Sequence, residues 1–353
     1  MTYELNDKLK GLTPYDALAG NYKIRLDANE SFIDPGKLFK DEILAAVADI
    51  ELNRYPDSMA KELCENFARY YGIDPNSVVA GNGSDELITV IMGAFLKPGD
   101  KLLTLTPEFS MYKFYGEIYD KEGIVIEKNW DLNFTAEKIL DEINRVKPEA
   151  VILSNPCSPT SLVLNREDII KMIEGSDSLM IIDEAYMDFS HHSIMDVVEQ
   201  YDNLIVLKTC SKALGCAAIR LGFAISCQKI IKALHCVRSP YNVNAVTQAI
   251  GCVIFSKPDY IKNSIKEIIK SRDYLYQNLL SLEENKGVKR IMKPDANFIF
   301  IELEDAQMVY EELRKESIIV RRLGDYLRIT AGTKEENDSL VAAISKILRR
   351  VSS

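Results

Sequence analysis

The chain reads as an α/β protein whose larger part is a mostly parallel sheet covered by helices. Three observations lead there. Between about residues 77 and 226, short runs that are apolar at nearly every position alternate with segments of helical spacing. Strands of that kind are buried on both faces, as parallel strands are. Several of the runs also close on a punctuating Pro, Asn or Asp. Beyond residue 250 the pattern changes to strands set close together with helices between them, which predicts a small α+β unit.

The apolar runs fall at 101–106, 150–154, 179–182, 203–207 and 221–226, and the spacing predicts helices over 135–145 and 166–174. In the tail it predicts a long helix over 258–282, a strand at 298–302 and a helix over 306–316. Strands at 318–321 and 326–330 and a final helix complete it. That last helix opens on Thr333-Lys-Glu-Glu336, a capping box in which each end residue satisfies a free backbone donor of the other. The resulting division is an arm or small-domain segment at 1–45, a large domain at 46–250 and a small C-terminal domain at 251–353.

The 353 residues are 47% apolar, enough for real cores, so wholesale disorder is excluded. The net charge is −10, with no lysine or arginine block, so nothing electrostatic points to nucleic acid or anionic lipid. No run is long enough to span a bilayer, and the polar start MTYELNDKLK does not read as an export signal. Seven irregularly spaced cysteines without a Cys-x-x-Cys pair read as reduced thiols, which places the protein in the cytoplasm. The adjacent His191 and His192 have no ligand-spaced partner, so no metal site is expected.

Four stretches carry chemistry. In Gly81-Asn-Gly83-Ser84-Asp-Glu-Leu87 a glycine pair leads into an apolar helix, leaving free N–H groups at a positive dipole end where a phosphate could sit. Taken alone, the same residues equally describe an ordinary capped helix after a tight turn. A dinucleotide fingerprint is excluded because Glu86 holds its third glycine position, which removes a nicotinamide-dependent dehydrogenase from the alternatives. Asp183 closes an apolar strand, where open α/β sheets place ligand sites, although a strand-end aspartate by itself is more often a cap. Lys212 follows another such strand among small and apolar residues, where desolvation favours a free, nucleophilic amine. Arg220, eight residues on, could return a fixed cation to a phosphate. A phosphate cradle, a strand-end acid, an amine and an arginine are together what pyridoxal 5'-phosphate requires.

The order GNGSDELI, NPCSPT, DEAYMDF, TCSKALGCAAIRLG and LRITAGT resembles that of the fold-type-I pyridoxal-phosphate aminotransferases. LTPYDALAG, LDANES, RYPD at 54–57 and GTKEEND extend the resemblance nearly end to end, and it is strongest to the members that act on L-histidinol phosphate. The resemblance implies a large domain with a mostly parallel seven-stranded sheet. It also implies transfer of an amino group between glutamate/2-oxoglutarate and L-histidinol phosphate/imidazole-acetol phosphate, in histidine biosynthesis. An aromatic amino-acid aminotransferase and a threonine-phosphate decarboxylase of the same family are the alternatives. A sensing regulator would carry a basic DNA-binding segment ahead of the domain, and only a short arm precedes the first motif.

Residue by residue, the resemblance makes Lys212 the covalent anchor and proton carrier and Asp183 the partner of the ring nitrogen. Asn155 and Tyr186 would hydrogen-bond the phenolic oxygen. Gly83, Ser84, Ser211 and Arg220 would hold the phosphate, with Asp85 contributing backbone only, and Phe109 would stack on the ring. Tyr55 would reach the phosphate of a partner subunit, which makes a homodimer with shared sites. Tyr15, Asn29, Arg321 and Arg328 would bind substrate, Arg328 taking its phosphate or carboxylate. Phe109 stands for a usual tyrosine, Cys157 and Ser158 for an asparagine pair, and Ser161 and Ala218 for glycines. The short connection between Arg321 and Arg328 is expected to keep the two from converging. Adjacent side chains on a strand point to opposite faces, so only one of Arg321 and Arg322 can serve the site.

Overall fold

Strands that are apolar on both faces have to be covered on both faces, and that requirement organises the molecule. The computed structural model describes residues 4–12, 18–128, 135–283 and 287–352. Its strands are β1 (Ile24–Leu26), β2 (Val78–Gly81), β3 (Lys101–Thr106), β4 (Glu122–Glu127), β5 (Ala150–Ser154), β6 (Leu179–Asp183), β7 (Leu204–Thr209), β8 (Gly222–Ser226), β9 (Val288–Ile291), β10 (Phe298–Leu303), β11 (Ile318–Leu323) and β12 (Tyr326–Thr330). The seven-stranded sheet has the order β2-β8-β7-β6-β5-β3-β4. Strands β7, β6, β5, β3 and β4 are parallel, whereas β8 runs antiparallel to both β7 and β2.

Every residue of β5, β7 and β8 is buried. One face of the sheet packs on a core that includes Phe67, Ile139, Met172 and Phe223, and the other on Ile88, Ile91, Tyr112 and Leu234. The apolar run near residue 90 is the buried helix Ser84–Phe95, packed between β2, β8 and the helix Gln228–Val237. Among the described residues no helix is long and apolar enough to cross a membrane. All seven cysteines are free thiols.

The second sheet has the order β1-β11-β12-β10-β9, with β1 parallel to β11 and the remaining pairs antiparallel. Residues 24–26, from the expected arm, are therefore an edge strand of the C-terminal sheet. Its core gathers Leu275, Ile299, Leu327, Leu340 and Ile344. The helix Pro258–Leu280 links the two bodies, giving Ile261 and Ile268 to the first core and Leu275 and Leu279 to the second. The capping box forms as its spacing predicts. Glu336 N donates to Thr333 Oγ1 at 3.3 Å, and Thr333 N donates to Glu336 Oε2 at 2.8 Å.

Ser161 occupies the left-handed region at φ 64°, which explains why glycine would suit the position. The serine is accommodated by its hydroxyl. Its Oγ accepts from Asp295 N at 3.0 Å and Ala296 N at 2.8 Å, joining the loop after β5 to the segment before β10.

Candidate active site

A parallel sheet presents the carboxyl ends of its strands along one edge, and the three adjacent strands β5, β6 and β7 end there on Ser154, Asp183 and Thr209. They open into a cleft of about 230 Å³, lined also by Ser84, Asp85, Phe109, Tyr112, Lys212 and Arg220.

The cradle at one end is built by close backbone approach. Gly83 has φ +84°, and a Cβ on it would stand 3.0 Å from a guanidinium nitrogen of Arg220. Gly222, opposite Gly81 in the β2–β8 pair, is tighter still: a Cβ there would lie 2.5 Å from Ser84 N and 2.7 Å from Gly83 C. Both of those atoms are backbone and have little room to move. Gly222→Ala is therefore expected to destabilise the protein by about 1–3 kcal/mol and to spoil the first turn of the helix Ser84–Phe95. A fall in the thermal midpoint together with weaker anion binding would report this. Arg220 Nη2 lies 3.2 Å from Asp85 Oδ2, so the Asp85 side chain holds the arginine. The carboxylate thus has a partner of its own beside the backbone contribution expected of Asp85. Ser211 is buried, and its Oγ accepts from Thr209 Oγ1 at 3.1 Å.

At the other end Asp183 is 4% exposed. Its Oδ2 accepts from Tyr112 Oη at 2.8 Å and its Oδ1 from Ala185 N at 2.9 Å. Burial raises its carboxyl from 3.8 to about 6 even though both hydrogen bonds oppose the shift. An acid in that state favours a neighbouring cationic N–H. Tyr112 itself is fully buried, and its ring meets Phe109 edge-on at 5.3 Å. Sequence reasoning overlooked Tyr112. Its signal was the three-residue spacing from Phe109, which brings both toward one face of their turn.

Lys212 lies between these ends. Its ammonium is half-buried rather than dry, donates to Ala28 O at 2.9 Å, and sits 6.0 Å from the centre of the Tyr186 ring. Tyr186 Oη accepts from Asn29 Nδ2 at 2.9 Å. Asn29 also uses its backbone N–H and its side-chain oxygen on Thr330 Oγ1, so it is buried behind Tyr186 and does not line the cleft. Asn155 is likewise set back. Its amide is committed to the backbone of Leu164, donating to the carbonyl at 3.0 Å and accepting from the N–H at 2.8 Å.

Arg328 reaches over from β12, with Nη2 donating to Asp27 O at 2.8 Å and Nη1 standing 3.4 Å from Ser158 Oγ. Arg321 is its direct cross-strand partner in the β11–β12 register, which puts both side chains on one face of the sheet. The expectation that the short connection separates them is overturned, because a tight hairpin is what sets two strands in register. Arg322 turns away and donates to Gly324 O. Tyr55 is 81% exposed and stacks on Tyr241, with ring centres 4.5 Å apart. Tyr15 lies outside the described residues.

The family model for aminotransferase class I and II matches residues 21–344. The chain belongs to the class I and II aminotransferases. As a member of that family it is an enzyme that transfers amino groups. Among its relatives, a histidinol-phosphate aminotransferase from Clostridium kluyveri is 40% identical over 346 residues, covering 97% of each chain. Among solved structures, the histidinol-phosphate aminotransferase of Sinorhizobium meliloti in complex with pyridoxal-5'-phosphate has a TM-score of 0.88 at 20% identity, covering 99% of both chains. The L-threonine-O-3-phosphate decarboxylase of Porphyromonas gingivalis has a TM-score of 0.80 at 18% identity, covering 92% of this chain and 99% of that one. The fold is common to both activities, so in this aminotransferase the choice of substrate rests on side chains.

Proposed function

We propose that this aminotransferase uses pyridoxal 5'-phosphate to move an amino group between glutamate/2-oxoglutarate and L-histidinol phosphate/imidazole-acetol phosphate. The observation that carries the reading is one cleft holding an amine, a cradle with a fixed cation, and a buried acid held by Tyr112 and the Ala185 N–H. Lys212, the Gly83–Ser84 turn with Arg220, and Asp183 fit the cofactor's aldehyde, phosphate and ring nitrogen in turn. The substrate assignment is supported by the names of relatives 36–40% identical over nearly the whole chain.

When bound, the cofactor supplies a protonated ring that draws electron density from the substrate carbon losing its proton. Asp183 holds the ring proton, and Tyr112 and Ala185 N–H fix the direction of its carboxylate. Lys212 would be the nucleophile toward the aldehyde and the base and acid that moves the substrate's proton. Tyr186, steadied by Asn29, hydrogen-bonds the phenolic oxygen. Ser84, Ser211 and Arg220 hold the phosphate, and Phe109 covers the ring. Arg328 receives the anionic end of either substrate, with Arg321 beside it.

The active form is a cytoplasmic homodimer in which Tyr55 serves the partner's phosphate site. The exposed patch of Leu52, Tyr55, Met59 and Tyr241 supports that assembly.

The test is a half-reaction panel on cofactor-loaded protein. L-histidinol phosphate and glutamate should each convert the bound cofactor to its amine form, and phenylalanine or threonine phosphate should do so at least about tenfold less efficiently. Release of carbon dioxide from threonine phosphate without conversion by glutamate would make the protein a decarboxylase.

A further inference from the structure

Behind the cleft, the end of β4 and the loops after β3 and β5 bury a charged cluster that the transamination chemistry does not use. The side chain of Lys128 is 5% exposed and that of Glu108 is 3% exposed, and Cys157 is 5% exposed. Lys128 Nζ lies 2.8 Å from Cys157 Sγ, donates to Pro107 O at 2.9 Å, and stands 3.9 Å from Glu108 Oε2. Glu108 Oε1 accepts from Ser154 Oγ and is 3.6 Å from the Cys157 sulfur, while its Oε2 has no hydrogen-bond partner among the described residues. Glu108, Lys128, Cys157 and Ser154 line a separate cavity of about 30 Å³. That volume admits a molecule of water or peroxide size.

We infer that Lys128 and Cys157 form a modification site at which hydrogen peroxide closes a reversible sulfur–nitrogen bond. A lysine amine this near a buried thiol meets the first oxidation product of the sulfur before any external thiol can. Cys157 passes its proton to Glu108, and the sulfur takes one oxygen from peroxide as the O–O bond breaks. The departing hydroxide takes a proton from the Lys128 ammonium and becomes water. The freed amine then displaces the hydroxyl from sulfur: the S–N bond forms, the S–O bond breaks, and the second water leaves with the proton held by Glu108. The remaining extra proton on nitrogen goes to solvent. Sulfur is oxidised by two electrons and one peroxide is reduced to two waters. The bond ties the end of β4 to the loop that carries Ser158, the neighbour of Arg328. Burial pushes the Cys157 thiol above its ordinary value, and Lys128 opposes that shift, so the reaction should quicken as pH rises.

The experiment treats the cofactor-loaded full chain with hydrogen peroxide and maps its peptides without reductant. The expected product joins the peptides containing Lys128 and Cys157, lacks two hydrogens, retains no added oxygen, and separates on addition of dithiothreitol. Lys128→Met and Cys157→Ser should each abolish it. Because either substitution could disturb a buried cluster, the wild-type map decides independently. Cys157 recovered as a free thiol or a sulfinic acid, with the Lys128 peptide unlinked, would overturn the assignment. Under native conditions a bulky maleimide should label the exposed Cys236 and spare Cys157. Labelling of Cys157 at a comparable rate would also overturn it.

Discussion

Replacing Lys212 with alanine should leave a folded protein that no longer turns over. The loss should be on the order of 10⁴-fold or more, since one side chain supplies both the nucleophile and the proton carrier. Stability should change little. The side chain is half-buried, and the hydrogen bond to Ala28 O is the kind whose net worth is about 1 kcal/mol. Two measurements belong together: the denaturation midpoint, and whether borohydride fixes the cofactor to the chain before unfolding. Wild type should retain bound cofactor after reduction and unfolding, and Lys212→Ala should release all of it. Cofactor that stays covalently attached to the variant would place the anchor on another amine.

Asp183→Asn should separate function from stability in opposite directions. In the folded, cofactor-free chain the carboxyl titrates near 6, above its ordinary 3.8, because burial penalises the charged form. Between those two values the folded state binds more protons than the unfolded one, so this group lowers stability progressively as pH rises through the window. Above about pH 6 the penalty is complete and amounts to about 3 kcal/mol. An asparagine carries no charge to desolvate, and its amide can still meet Tyr112 Oη. Cofactor-free Asp183→Asn should therefore melt higher than wild type at pH 8 and lose that advantage near pH 4. The same variant should hold the cofactor less tightly and transaminate at least about 10²-fold more slowly, because nothing keeps the ring nitrogen protonated. Melting curves at pH 4, 6 and 8 test the first part. An advantage that does not depend on pH would mean that the carboxylate is not the source of the penalty.

What could be read in the residues divides by burial and by length, since the four-residue β2 is buried throughout and still gives no signal of its own. Strands β3, β5, β6, β7 and β8 announce themselves because a strand covered on both faces has to be apolar throughout. The edge strand β4, Glu-Gly-Ile-Val-Ile-Glu, alternates between exposed and half-buried positions and lacks that signature. Strands β1 and β9 are three and four residues long and exist through their partners, so local pattern does not reveal them. The site shows the same division. Lys212, Asp183 and the glycine turn lie in motifs, but the carboxylate of Asp85 on Arg220, the bond from Tyr112 to Asp183 and the withdrawal of Asn29 behind Tyr186 are contacts across the fold. Gly222 stands in a quoted motif, yet only the approach of β8 to the helix Ser84–Phe95 explains why no larger residue fits there.

The peptide running from Asp27 to Asn29 is grasped at both ends. Arg328 clasps the carbonyl of Asp27, and one residue later Lys212 clasps the carbonyl of Ala28. In the proposed function an anion bound at Arg328 would compete with the first grip, and reaction at Lys212 would have to release the second. Since β1 pairs with β11, this short peptide continues directly from the C-terminal sheet. The two cations proposed to meet the substrate's anion and the cofactor's aldehyde thus share one short stretch of backbone, so that freeing either would loosen the hold on Asp27 and Ala28.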